Sequence, residues 1–169
     1  VLDITKYVDD STLWEVCDRK CHQSKLQLAT DQAIEWSHKN LMLVNCDKTK
    51  ELVVDFTRTE SDPDIPHISA QDRTIERVNS TKLLGVTITS DLTWGEHVDN
   101  IHSRASQRLY FLSLLRRAGM PPDSILRVYT AIVRSMTEYA CQVWHTGLTE
   151  QQSSQLESIH RRAMRISFP

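Results

Sequence analysis

Two adjacent carboxylates are the sharpest chemical feature of the chain. Tyr7-Val8-Asp9-Asp10 lies between two stretches of strand-like composition, Leu2–Tyr7 and Ser11–Val16. The polar residues joining them are few enough to turn the chain back as a hairpin. Neighbouring carboxylates on a tight turn repel each other unless cations neutralise them. Two divalent ions about 3.5–4 Å apart do so, and such a pair clamps the attacking and leaving oxygens of a phosphoryl transfer. Mg2+ suits a turn because it takes few carboxylates and keeps water and substrate phosphates as its other ligands. The plain alternative is an acidic turn that binds nothing.

Two other patterns invite a metal and carry it less far. Cys17-x3-Cys21-His22 lacks a second ligand pair at zinc spacing. The cysteines at 17, 21, 46 and 141 form no disulfide framework and read as free thiols in a reducing compartment. His97-Val98-Asp99 has the His-x-Asp form of an Fe(II) dioxygenase triad, with His145 or His160 as the distal ligand. That chemistry needs a rigid β scaffold, whereas everything after residue 96 reads as helix.

The elements that must position these residues follow from periodicity. After the hairpin, Ser24 is a candidate N-cap, and Leu26, Thr30, Ala33, Ser37 and Leu41 recur at helical spacing. Leu52–Phe56 reads as a buried strand and 57–64 as a loop. Strand-like stretches follow at His67–Ser69, Thr74–Val78 and Lys82–Ile88. Three helical stripes come next: Ile101, Ala105, Leu109, Leu112; then Ile125, Val128 or Tyr129, Ile132, Met136, Tyr139 or Ala140, and Val143; then Leu156, Ile159, Ala163, Ile166. The fold class expected is α+β: a small, partial antiparallel sheet with one packed helix over 1–95, then a three-helix region over 96–169. Trp36, Trp94 and Trp144 are expected as core anchors.

Composition supports a folded chain. Of 169 residues, 40% are hydrophobic and 25% charged, which argues against disorder. The longest aliphatic run, Leu41–Val44, is far too short to span a membrane. The net charge of -2 conceals a gradient: residues 1–98 hold 11 Lys+Arg against 17 Asp+Glu, while 99–169 hold 9 against 5, all nine being Arg. Such asymmetry suggests either that one half meets an anion while the other holds cations or is simply acidic, or that the two halves are only differently solvated faces. The chain opens on Val1-Leu2-Asp3-Ile4 with no secretory leader pattern, which reads as a piece of something longer.

The order of short blocks resembles the reverse transcriptase of non-LTR (LINE-type) retrotransposons, most similar to the Jockey/CR1-like branch. The blocks are Tyr7-Val8-Asp9-Asp10; Trp36 and Asn40; Leu43-x-Asn45-x-x-Lys48-Thr49-Lys50; Lys82-Leu83-Leu84-Gly85-Val86-x-Ile88; Leu92-x-Trp94-x-x-His97; Tyr129, Tyr139 and Trp144; and Leu156-Glu157-x-Ile159-x-Arg161-Arg162-Ala163-x-Arg165-Ile166. They run from Lys6 to Ile166.

The resemblance implies that residues 1–95 are the C-terminal part of a polymerase palm and 96–169 a helical thumb. It implies Asp9 as a metal ligand, Asp10 as a supporting carboxylate, and Lys48 as the functional lysine near incoming nucleotide. Leu84, Gly85 and Val86 would belong to a primer-grip hairpin. Arg116, Arg117, Arg127, Arg161, Arg162 and Arg165 would contact duplex phosphates. The implied cofactor is Mg2+ (or Mn2+), and the implied partners are an RNA template with its DNA primer and dNTP, in an intracellular rather than secreted or membrane setting. The family's further palm carboxylate and its fingers lie upstream of the matched blocks, so the chain alone is expected not to polymerise. A non-catalytic remnant that binds nucleic acid or protein is the alternative.

Overall fold

The computed structural model describes residues 2–16, 24–56 and 65–168, which fall into two compact units, Val1–Thr81 and Lys82–Pro169. The Cys17, Cys21 and His22 pattern and the 57–64 loop lie outside the described residues.

In unit 1, β1 (Leu2–Tyr7) and β2 (Asp10–Glu15) form the expected antiparallel hairpin, with Leu2 opposite Glu15 and Tyr7 opposite Asp10. The period of two puts Asp3, Thr5, Tyr7, Asp10, Thr12 and Trp14 on one face and Ile4, Lys6, Leu13 and Glu15 on the other. The second face meets α1 (Leu26–Lys39). The Lys6 ammonium lies 5.2 Å from the Trp36 ring centroid. Glu15 accepts the Lys25 amide at 3.0 Å and the Ser24 hydroxyl at 2.8 Å, placing a carboxylate at the positive end of α1. Ser24 in turn accepts the Leu26 amide at 3.1 Å, so the expected cap works one residue before the helix boundary.

The rest of unit 1 is built from very short pieces. β3 (Lys50–Glu51) pairs in parallel with β6 (Glu76–Arg77), and β4 (Ser69–Ala70) pairs with β5 (Arg73–Thr74). Ile68, Ala70 and Ile75 make a small core with Leu26, Ile34 and Cys46. The Gln27 amide bonds both backbone groups of Ser69, at 2.8 and 2.9 Å, and ties α1 to β4. Buried Glu51 is held by two Arg77 hydrogen bonds of 3.1 Å.

Two expectations change here. Among the described residues, the strands do not join into one antiparallel sheet but into four two-stranded pieces, one of them parallel. Leu52–Phe56 is not a strand: pairing ends near Glu51, whose carbonyl takes the Val78 amide at 2.9 Å. An apolar run becomes a strand only where its backbone groups join a ladder, and among the described residues no strand is formed over 52–56.

Unit 2 begins earlier than residue 96. β7 (Ser80–Leu83), which crosses the boundary at Lys82, and β8 (Val86–Thr89) form a hairpin, and Val86, Ile88 and Trp94 pack with the helices. α2 (Gly95–Arg117) buries Val98, Ile101, Ala105, Leu109 and Leu112 along one face. α3 (Pro122–Tyr129) runs through a π-helical stretch, Thr130–Arg134, into short α4 (Ser135–Thr137). α5 (Cys141–Trp144) and a 3-10 turn (His145–Gly147) lead to α6 (Glu150–Ser167), capped by a Thr149–Gln152 capping box.

The second helical stripe shifts. Ile125, Tyr129, Val133 and Thr137 are buried, while Ile132 and Met136 are partly buried and pack against the core. A repeated spacing of four drifts by about 40° per step on an α-helix, and the wider π-helical turn takes up that drift. The helix then stops at Thr137 instead of reaching Val143, because Ala140 adopts φ +51°. Of the three expected helices, the first and third are the continuous α2 and α6, and only the second is broken, among the described residues, into short helical segments joined by tighter or wider turns.

Candidate active site

The β1–β2 turn consists of Val8 and Asp9, and Asp10 is the first residue of β2. Val8 has φ +53°, with φ positive at the first central residue only, as a type II′ turn requires. A β-branched residue in this region is an outlier, the kind of strain that clusters at working sites. Asp9 and Asp10 are both exposed, and no cation among the described residues pairs with either.

Two free carboxylates with open space around them fit a Mg2+ that keeps much of its own water. No group of three potential metal ligands forms among the described residues. Asp3 shares a face with Asp10 but lies four rungs down the ladder, about 13 Å away at strand rise, and bonds the Ile4 amide at 2.8 Å. It therefore does not complete the pair.

Lys48 sits in a turn closed by its own amide, which donates to the Asn45 carbonyl and to Asn45 Oδ1, both at 3.2 Å. Its side chain is exposed and no bond links it to Asp9 or Asp10. Its neighbour Lys50 is engaged with Glu76.

In unit 2, Leu84 and Gly85 form the tip of the β7–β8 hairpin with φ +47° and +89°. Leu84 is exposed, whereas Val86 points into the helical core. Only the tip, not all three residues, faces outward.

The arginines divide into two kinds. Arg116, Arg117, Arg127, Arg161, Arg162 and Arg165 are all exposed. Arg116 donates to the Arg165 carbonyl at 3.2 Å, which brings the C-terminal ends of α2 and α6 together, and Arg161 approaches Glu157 at 3.6 Å. Among the described residues, Arg117, Arg162 and Arg165 have uncommitted guanidinium groups, as does Arg127 on α3, which no bond joins to the others. Arg108, by contrast, donates to the Ile132 carbonyl inside the π-helical stretch, and Arg134 pairs with Glu138. Those two serve the fold.

The iron-site pattern comes apart. His97 is buried, its Nδ1 accepting the Thr87 amide at 3.2 Å, with ring-edge contacts to Trp94 and Trp144. Burial, helped by the charge of Lys82, lowers its pKa. Asp99 is exposed and takes a bond from Gln155 at 3.0 Å. Residues two apart on a helix face away from each other. His160 pairs with the Tyr129 hydroxyl, whose pKa burial raises, and His145 is exposed. Trp144 is the expected core anchor and Trp94 a partial one, but Trp36 is about half exposed.

Over 135 residues, 78% of this chain, the sequence is 24% identical to the probable RNA-directed DNA polymerase from transposon X-element of Drosophila melanogaster. The chain is similar to a transposon polymerase. The aligned part spans 14% of the fly protein's length. No family model matches, and no solved structure does. The likeness supports a reverse-transcriptase relationship for the chain as a class. Among the described residues, no helix is long and apolar enough to cross a membrane.

Sequence reasoning missed the Tyr139 hydroxyl, which donates to the Leu84 carbonyl at 2.9 Å. Tyr139 stood out only as one residue of the family pattern. Its spacing from Leu84 carries no local signal.

Proposed function

We propose that this chain is the part of a non-LTR, Jockey/CR1-like RNA-directed DNA polymerase that carries the catalytic hairpin. One observation carries the reading: adjacent, unpaired carboxylates stand on a two-residue β-turn held by a left-handed Val8, in a chain similar over most of its length to a transposon polymerase. Asp9 and Asp10 would hold Mg2+ or Mn2+. The bound ion would supply the charge neutralisation needed when a primer 3′-hydroxyl attacks the α-phosphate of a dNTP and pyrophosphate leaves.

Other side chains of the chain take the binding roles. Exposed Leu84 and Gly85 form a tip on which the primer's 3′ end rests. Arg117, Arg127, Arg162 and Arg165, with Arg116 and Arg161 after release from their present partners, contact the phosphates of the template–primer duplex. Lys48 is free to approach a nucleotide phosphate. No third ligand joins the pair among the described residues; in this reading it belongs to an upstream palm strand, as the resemblance implies, and the chain alone is expected not to extend a primer.

The test pairs two assays on the chain. Primer extension on an RNA template with Mg2+ and dNTP is expected to give no product. Binding of an RNA–DNA primer–template is expected to weaken steeply with salt, with the log–log slope falling by about one for each phosphate-contacting arginine replaced by Ala. Extension lost in Asp9→Ala would overturn the incompleteness, and salt-insensitive or absent duplex binding would overturn the nucleic-acid role. The alternative is a non-catalytic remnant that binds nucleic acid or protein. Salt-insensitive binding to a protein would support it.

A further inference from the structure

The β7–β8 tip breaks a local rule. A two-residue turn with positive φ at both central positions favours Asn-Gly or Asp-Gly, yet its first central residue is Leu84 at φ +47°. A bulky residue there is strained, and the strain does not serve the core, since Leu84 is 40% exposed. Something outside the turn must hold it.

Tyr139 does so. Its hydroxyl donates to the carbonyl of the strained residue itself, at 2.9 Å. Its ring lies against Gly85, where an added Cβ would come within 3.1 Å of Tyr139 Cε1. Tip and ring are fitted to each other: Gly85 supplies both φ +89° and the missing Cβ.

Tyr139 is itself anchored. Its carbonyl accepts the Trp144 indole N–H at 3.0 Å, and Trp144 is 1% exposed at the centre of the helical core. Ala140, at φ +51°, ends the preceding helix and turns the backbone out at this point. The ring is 54% exposed, so burial of Tyr139 is not what fixes it here. A continuous strut therefore runs from Trp144 through the Tyr139 backbone and ring to the Leu84 carbonyl. Strand β8 is fixed separately by the Thr87–His97 bond, which leaves the tip as the part that depends on Tyr139.

We infer that Tyr139 is a positioning residue, holding the Leu84–Gly85 tip in the shape that receives the 3′-terminal nucleotide of a primer strand. This rests on the reading of the hairpin as the surface under the primer end. Tyr139 acts through the backbone of Leu84 and does no chemistry on the substrate.

The experiment uses the full chain with an RNA–DNA primer–template whose primer ends in 4-thiothymidine, a zero-length photo-crosslinker, and locates the cross-linked residue by mass spectrometry. Wild type is expected to cross-link at Leu84–Gly85. Tyr139→Phe keeps the ring and removes one hydrogen bond, so that cross-link should fall about five-fold, the worth of one such bond. Duplex affinity and Tm should stay close to wild type, which a merely structural loss would not allow. The Gly85 amide resonance should broaden in Tyr139→Phe as the tip samples other conformations. Wild type cross-linking elsewhere, or not at all, would overturn the reading of the hairpin and the inference with it. Wild type cross-linking at the tip with Tyr139→Phe unchanged in yield and in the Gly85 resonance would overturn the role of Tyr139 alone.

Discussion

The two units differ in how their order is held. Unit 2 buries a continuous core drawn from β8, α2, α3, the π-helical stretch, α5 and α6, with Trp144, Leu109 and Ile159 almost fully enclosed. Unit 1 has a small core of Ile68, Ala70 and Ile75, and holds its short strands with polar devices: Gln27 on Ser69, Arg77 on Glu51, Glu15 at the start of α1. Its hairpin region leaves Ile4, Tyr7, Val8 and Val16 exposed. The pair of carboxylates thus stands on the unit with the weaker core, and the strained but braced tip stands on the one with the stronger core. Each unit presents a hairpin turn with left-handed residues outside glycine's usual territory, at Val8 and at Gln71–Asp72 in unit 1 and at Leu84 in unit 2. Among the described residues, only that of unit 2 has a side chain bonded to the strained carbonyl.

The contrast between the units breaks most easily at the residue whose loss should cost most. Trp144→Ala should cost unit 2 about 3–5 kcal/mol, since a buried indole leaves a cavity its neighbours cannot fill. Denaturant unfolding followed through unit 2 amide signals checks this, and a loss below about 1 kcal/mol would mean that the core is not centred on Trp144. In unit 1, Arg77→Ala strands the buried Glu51 carboxylate and should cost about 3 kcal/mol. The same unfolding, read on α1 and the Ile68–Ile75 core, should show it. An unchanged midpoint would contradict polar support as the mainstay of that unit.

A smaller effect sharpens the contrast through pH. His97 is neutral in folded unit 2, because burial between Trp94 and Trp144 and the nearby Lys82 hold its pKa below the ordinary 6.5. The unfolded chain takes up that proton first. Stability is therefore full above the ordinary value and is lost as pH falls below it, by at most about 1.4 kcal/mol per pH unit for one proton. His97→Gln, which keeps an acceptor for the Thr87 amide, should remove this slope between about pH 7.5 and 5.5. An equal slope in the variant would assign the loss to other groups.

The helices of unit 2 were legible wherever periodicity is regular. Ile101, Ala105, Leu109 and Leu112, and likewise Leu156, Ile159 and Ala163, are expected core residues and are buried. The same signal chose Ile132 and Met136, which are only partly buried, over Val133 and Thr137, because a pattern counted at about 3.6 residues per turn cannot register a π-helical turn inside the helix. Leu52–Phe56 misled for another reason: composition reports what a segment could bury, not whether a neighbour exists to pair with it. Hairpin formation around Asp9 and Asp10 was readable from strand-like flanks and a short polar joint. That Val8 and Leu84 take positive φ was not, since neither residue type marks it. Tyr139, which braces the strained tip, comes from far along the chain and leaves no local trace.

The central claim is that the hairpin carboxylates bind a divalent ion. Titrating Mn2+ into the isotope-labelled chain tests it directly, because paramagnetic broadening marks the amides nearest a bound ion. The account predicts that the amides of Tyr7–Ser11 broaden first, and that Asp9→Asn with Asp10→Asn abolishes this while leaving the hairpin's other resonances in place. Broadening centred elsewhere, or unchanged in the double variant, would contradict it.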